Sequence, residues 1–137
     1  MTMRDDALKF FDACETGQGW DVCKEWCHER ATFSAQADAL AGVDTLEAYT
    51  EWMKGMSATL PGCHYDLFFF AADEERGTVG GAAVFHGTHT VDTPDIPATG
   101  KSAAADYFYA MKFDGGKISH MTKIWNDGFS LRQLGWA

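Results

Sequence analysis

The sequence predicts an α+β domain, with helices gathered in the first half of the chain and antiparallel strands in the second. Residues 4–57 carry apolar residues at helical spacing, whereas residues 63–126 hold four strand-like runs separated by short charged or Gly/Pro-rich breaks. The order of elements shows no βαβ alternation, which removes the dinucleotide-binding class. No repeat, low-complexity tract or dividing linker interrupts residues 1–137, so the chain reads as one domain.

Arg4 to Glu15 reads as an amphipathic helix whose stripe is Ala7, Leu8, Phe10, Phe11 and Cys14, stopped by Thr16-Gly17-Gln18-Gly19. A second helix is expected from Trp20 to His28, burying Trp20, Cys23, Trp26 and Cys27, followed by a short strand at Ala31–Ala35. Asp44 and Glu47 have capping-box spacing ahead of a helix over Thr45–Ser57, which Pro61-Gly62 ends. The strands then fall at Cys63–Ala72, Thr78–Thr90, Ala103–Phe113 and Lys117–Asn126. Gly115-Gly116 marks a hairpin between the last two, because glycine reaches positive φ without steric cost.

Composition narrows the function. Hydrophobic residues make up 46% of the chain and aromatic ones 14%, enough for a substantial core. A formal net charge of −9, from 20 acidic against 11 basic residues, argues against nucleic-acid and anionic-membrane partners, which need basic patches. No apolar run approaches membrane-spanning length and the N-terminus is acidic, so the expected location is cytoplasmic. Cys23, Cys27 and His28 are close in sequence, but Cys14 and Cys63 stand apart, and the four thiols read as small core residues with no metal implied. Thr99-Gly100-Lys101-Ser102 resembles the end of a phosphate-binding loop, yet Asp95 stands where that pattern needs glycine.

The closing stretch holds the chemistry. In the strand Ile118–Trp125, His120, Thr122 and Ile124 share one face and Met121, Lys123 and Trp125 the other, with Asp127 continuing the second if the strand runs on. A carboxylate beside tryptophan at the end of an apolar strand needs a partner, a shifted pKa or solvent.

Gly87-Thr88-His89-Thr90, Pro97-Ala98-Thr99-Gly100-Lys101, the Asp114–Ile118 hairpin, Trp125-Asn126-Asp127 and Leu131–Gly135 form an ordered set. Together they resemble the SnoaL-like polyketide cyclase family of the NTF2-like superfamily. Departures are Val91 in place of a glycine, one extra glycine in the hairpin, and Ser130 where leucine is common. The resemblance implies an NTF2-like cone, in which N-terminal helices pack on a strongly curved antiparallel sheet enclosing an apolar pocket, usually in a homodimer. It further implies cofactor-independent general acid/base chemistry, such as aldol cyclisation, isomerisation or dehydration, on a small hydrophobic molecule.

Such chemistry needs a desolvated carboxylate near an enolisable carbon and a donor for the enolate oxygen. By resemblance Asp127 is the acid/base and His89 its partner or the oxygen donor. Asp127 alternatively caps the turn over Phe129–Leu134, and His89 alternatively packs against the sheet. Trp125, Met121, Tyr107, Tyr109, His120, Tyr49, Trp20 and Phe85 are candidates for the pocket wall, each of which also reads as core. A non-catalytic module that binds a small hydrophobic ligand or serves to dimerise remains the alternative, since one fold hosts many functions.

Overall fold

The structure is a computed structural model that describes residues 2–137. Helix α1 (Met3–Glu15) starts at a capping box, in which Thr2 Oγ1 accepts from Asp5 N and the Asp5 carboxylate accepts from Thr2 N. Its stripe of Ala7, Phe10, Phe11 and Cys14 is fully buried. The second helix is shorter than the spacing predicts. Helix α2 spans Trp20–Cys23, a 3₁₀ turn covers Lys24–Trp26, and Cys27 already begins strand β1 (Cys27–Ala35). Cys23 and Cys27, which flank that turn, are both buried, and Cys27 Sγ donates to Cys23 O at 3.4 Å.

Helix α3 (Leu46–Thr59) is capped by Thr45, whose hydroxyl accepts from Ala48 N at 3.1 Å; the Asp44/Glu47 box is not used. Strands β2 (His64–Asp73), β3 (Thr78–Thr88) and β4 (Ser102–Asp114) follow as a meander, and β5 (Lys117–Trp125) returns through a two-residue turn. Gly115 and Gly116 sit there at φ +59° and +86°, the positive pair that such a tight hairpin requires. Strand β5 ends at Trp125, so Asp127 opens helix α4 (Asp127–Gln133) instead of continuing a sheet face.

The sheet order is β1-β5-β4-β3-β2, open at both edges. Three of the four pairings are antiparallel, but β1 and β5 run parallel. The antiparallel sheet that the resemblance implied is thus present in β2 to β5, with β1 added in parallel. A parallel neighbour is reached here because α3 and the whole β2–β4 meander lie between the two strands as the crossover. Register shifts at Cys27/Thr32, Leu67/Phe69 and Lys112/Phe113 bend the strands. The helices close over the inner face, α1 against β2 and β3, α3 against β1, and α4 against β4. This is the α+β, NTF2-like architecture. No helix of the described residues is long and apolar enough to cross a membrane.

Alternation along the strands decides which side chains meet inside. On β4, Ala103, Ala105, Tyr107, Tyr109 and Met111 are all buried while Ala104 and Asp106 face out. Phe11 lies at the middle of this interior, its ring centroid 5.0 Å from Tyr109, 5.4 Å from Tyr65, 5.9 Å from Phe70 and 6.1 Å from Tyr107. A Cβ on Gly81 would meet Phe70 at 2.8 Å and Phe11 at 3.0 Å, so a residue without a side chain lets those rings approach the sheet.

Candidate active site

Inside the sheet, register sets Tyr109 opposite Lys123 and Tyr107 opposite Trp125. Lys123 is 6% exposed, the one buried lysine among the described residues, while Lys9, Lys24, Lys54, Lys101, Lys112 and Lys117 are all exposed. Its Nζ lies 4.3 Å from the ring centre of Trp125 and 5.1, 5.3, 5.5 and 5.8 Å from Tyr49, Trp52, Tyr107 and Tyr109. The electron-rich ring faces partly replace the water that burial removes from the ammonium.

A hydrogen-bonded line leads away from this lysine. Lys123 Nζ donates to Tyr49 Oη at 2.9 Å, Tyr49 and Tyr109 share a short hydroxyl–hydroxyl bond, and Tyr109 Oη donates to Glu15 Oε2 at 2.6 Å. With Tyr109 donating to Glu15, the bonds run in one direction, from ammonium through two phenols to carboxylate. Glu15 is 2% exposed and closes helix α1. No direct ion pair joins Lys123 to Glu15 among the described residues; the phenols stand between them.

Burial moves both ends of this line. It pushes the Glu15 carboxyl above its ordinary value, an effect that Lys123 and the neighbouring hydroxyls oppose. It also pulls Lys123 down to about 8, against the restoring charges of Glu15, Cys14 and Asp127. The hydroxyls of Tyr49, Tyr107 and Tyr109 are all held well above the usual phenol range, first by burial and then by the Glu15 charge. Burial thus moves the two ends toward each other, the carboxyl upward and the ammonium downward, while the phenols between them stay protonated.

This has a consequence for stability. Lys123 has a folded pKa below its unfolded one, so between the two the unfolded chain holds a proton that the folded chain has lost, and stability rises with pH through that window. Relative to Lys123→Met, the wild-type chain should gain about 1 kcal/mol between pH 8 and 9, at 1.36 kcal/mol per full pH unit of differential protonation. Urea denaturation of both proteins at each pH reads the difference, and a gap independent of pH would mean a solvated ammonium. Glu15 acts in the opposite sense: its raised folded pKa makes stability fall as pH climbs from its ordinary value of 4.5.

Lys123, Glu15 and Tyr107 open onto an apolar cavity of about 50 Å³. Met53, Ala103, Ala105 and Gly87 form its floor, and half-buried Trp52, Met56, Phe85, Leu131 and Trp136 its rim. A Cβ on Gly87 would meet Leu60 at 2.9 Å, so the glycine fits the floor against that side chain. Tyr107 Oη is buried in this wall with no hydrogen bond of ordinary geometry, and it lies close enough to Glu15 for the carboxylate to act on it. Ser130 accepts from Trp125 Nε1 at 2.9 Å and fixes that ring at the lysine.

Of the residues singled out in the sequence, Trp125, Tyr107 and Phe85 line the cavity, and Tyr49 and Tyr109 form the line behind it. Met121 is fully buried in the core, and Trp20 borders a separate cleft beside Lys24 and His28. His120 faces the other side of the sheet, bonded to Thr32 Oγ1 at 2.7 Å and Ser34 Oγ at 3.1 Å. Asp127 is half-buried in the first turn of α4, where Oδ2 accepts from Ala39 N at 2.8 Å; the cap itself is Asn126, which accepts from Phe129 N. His89 is fully buried beyond the end of β3. Its Nδ1 accepts from Thr99 N at 3.2 Å and Trp136 Nε1 at 3.1 Å, so the ring proton sits on Nε2, which has no partner. Asp127 and His89 thus each tie down a different segment, and no hydrogen bond joins them among the described residues.

Lys123 and Glu15 were missed as candidates, although both left a signal. Lys123 alternates with Met121 and Trp125 on the inward face of its strand, and Glu15 follows Phe11 by four residues on the buried stripe of α1. A charged residue at an inward position is the informative exception. A donor set for a metal exists elsewhere: ligand atoms of His64, Asp66 and His86 lie within 4.8 Å of one another on the outer face. There His86 Nε2 lies 3.1 Å from Asp66 Oδ2, and the two imidazoles stack at 4.9 Å.

Comparison with known proteins agrees with this architecture. The SnoaL-like domain profile matches residues 7–121. No curated protein matches the chain. A protein of Acidithiobacillus ferrooxidans assigned as a polyketide cyclase superposes with a TM-score of 0.77 at 19% identity, over 99% of this chain and 96% of its own. AclR of Streptomyces galilaeus, assigned as a hydroxylase, gives 0.76 at 15% identity over 98% of this chain and 85% of its own. IdmH of Streptomyces antibioticus, assigned as a polyketide cyclase, gives 0.75 at 18% identity over 98% and 99%. At these identities the likeness concerns the fold.

Proposed function

The chain belongs to the SnoaL-like domain family, and from that premise we propose that it is a small-molecule enzyme working by general acid/base proton transfer in its apolar cavity. The observation that carries this reading is the buried line from Lys123 to Glu15, whose two ionisable ends both border the cavity. The substrate is a small, largely apolar carbonyl compound with an acidic C–H. Glu15 takes the proton, the unpartnered Tyr107 hydroxyl donates to the developing enolate oxygen, and the Lys123 ammonium stabilises the negative charge. The phenols of Tyr49 and Tyr109 let protonation of Glu15 respond to Lys123 without a direct contact. Aldol closure, double-bond isomerisation and dehydration all begin from the enolate so formed, and the reaction needs no cofactor.

Asp127 and His89 then act at one remove. Asp127 holds Ala39 and contributes to the charge on Lys123; His89 pins the Thr99 loop and Trp136 at the cavity rim. The test is α-proton exchange of small ketones such as butan-2-one in D₂O, followed by NMR. Exchange above the buffer rate that is lost in Lys123→Met and Glu15→Gln supports the reading; exchange equal to buffer for a broad ketone panel contradicts it.

We propose further that the enzyme works as a homodimer. Phe69, Ala82, Phe108 and Ile124 pair successively across four strands, forming one apolar row on the outer face. Phe69 is 50% and Ile124 65% exposed, and neighbouring Phe68 is 65% exposed. Such a row in water favours pairing with a second copy. Sedimentation equilibrium should give twice the chain mass for the wild type and a monomer for Ile124→Lys; a monomeric wild type contradicts the dimer.

A further inference from the structure

We propose that Lys123 is a nucleophile that captures small apolar aldehydes and ketones as an imine on Nζ. The proposal rests on the acid/base reading of the same cavity and adds a covalent step to it.

Four observations carry it. Lys123 is the buried lysine among six exposed ones, and it borders the cavity directly. Its hydrogen bond goes to a neutral phenol, Tyr49, and not to a carboxylate, so no direct ion pair holds the amine in its protonated form. The cavity around it is apolar, which disfavours the water that condensation releases. Tyr107 Oη stands in the same wall as a hydroxyl donor with no hydrogen bond of ordinary geometry, and Glu15 stands beside it as a proton carrier. The depressed pKa of Lys123, about 8, makes the neutral amine accessible near physiological pH.

The step balances within these groups. The Nζ lone pair attacks the carbonyl carbon and forms a C–N bond while the carbonyl oxygen takes a proton. The carbinolamine then loses that oxygen as water, and the nitrogen gives up its second hydrogen to leave the imine. One amine and one carbonyl yield one imine and one water, with no oxidant or reductant. Protonation of the imine at Nζ makes its carbon withdraw electrons from the adjacent C–H more strongly, which acidifies the proton that Glu15 takes.

The cavity volume sets the ligand class. At roughly 10–15 Å³ per water on this measure, about 50 Å³ holds a group of only a few heavy atoms, and anything longer must extend past Trp136 and Phe85 at the rim. The carbonyl compound is therefore short or carries its carbonyl at one end of an apolar chain.

Pentane-2,4-dione is the probe, because capture at an amine with loss of one water gives a stable vinylogous amide with its own ultraviolet absorbance. At mildly alkaline pH and limiting reagent, the expected result is one adduct per chain, mapped by peptide mass spectrometry to Lys123. The absorbance should be absent in Lys123→Met. The mapping on the wild-type protein stands even if that variant folds poorly. Adducts scattered over the exposed lysines, or none, overturn the proposal. If labelling fails while ketone exchange persists and remains sensitive to Glu15→Gln, the covalent step falls and the acid/base reading survives; if exchange also equals buffer, both fall.

Discussion

Lys123→Met and Glu15→Gln should each slow α-proton exchange of an accepted ketone by about 10²- to 10⁴-fold, the usual contribution of a positioned acid or base. Methionine keeps the apolar stem of Lys123 among the rings and removes only the charge and the donors, so binding of an apolar ketone should change little and kcat should fall. Glutamine at position 15 keeps an acceptor for Tyr109 Oη, now bonded at 2.6 Å, while removing the proton-accepting carboxylate. Tyr49→Phe breaks the line in its middle and leaves both ends in place. Its exchange rate should lie between wild type and Lys123→Met, with an altered pH profile. Equal rates in all four proteins would mean that the buried line is scaffold and the chemistry lies elsewhere.

The second large effect concerns stability. Phe11→Ala should cost about 3–5 kcal/mol, the range for truncating a buried aromatic whose site cannot collapse. Phe11 is fully buried and contacts four aromatic rings from two strands, β2 and β4, so the neighbours are braced by one another and will not fill the hole. For a domain of this size that shift lowers the thermal midpoint by roughly 10–20 °C. Phe129→Ala, at a residue 49% exposed on α4, should stay within about 0.5 kcal/mol and serves as the control. A small loss at Phe11 would mean that α1 does not seal the sheet as described, and the burial of Glu15 at the end of the same helix would fall with it.

Much of the fold was legible because hydrophobic period and turn chemistry are local. The stripe from Ala7 to Cys14, the paired glycines at 115–116 and the inward alternation of Met121, Lys123 and Trp125 all appear in the structure as the sequence suggests. What was not legible depends on partners far along the chain. Cys27 and His28 have helical spacing with Trp20 and Cys23, yet they pair into the sheet because β5 offers an edge, with Cys27 opposite Ile118. Asp127 follows Trp125 at strand spacing, but Asn126 caps a helix there and turns the carboxylate toward Ala39. Lys123 passed for an ordinary lysine because nothing local says that Glu15, more than a hundred residues earlier, shares its interior through two tyrosines. Family resemblance pointed to Asp127 and His89 through motif positions, whereas the cavity is bordered by charges outside those motifs.

The most direct test of this account is an NMR titration of the Lys123 side chain, assigned by its absence in Lys123→Met. The predicted midpoint is about 8 in the wild type, and lower in Glu15→Gln, because removing the carboxylate charge removes the largest effect opposing burial. A midpoint at the ordinary lysine value of about 10.4, unmoved by Glu15→Gln, would show a solvated ammonium uncoupled from Glu15 and would contradict the proposed proton-transfer site.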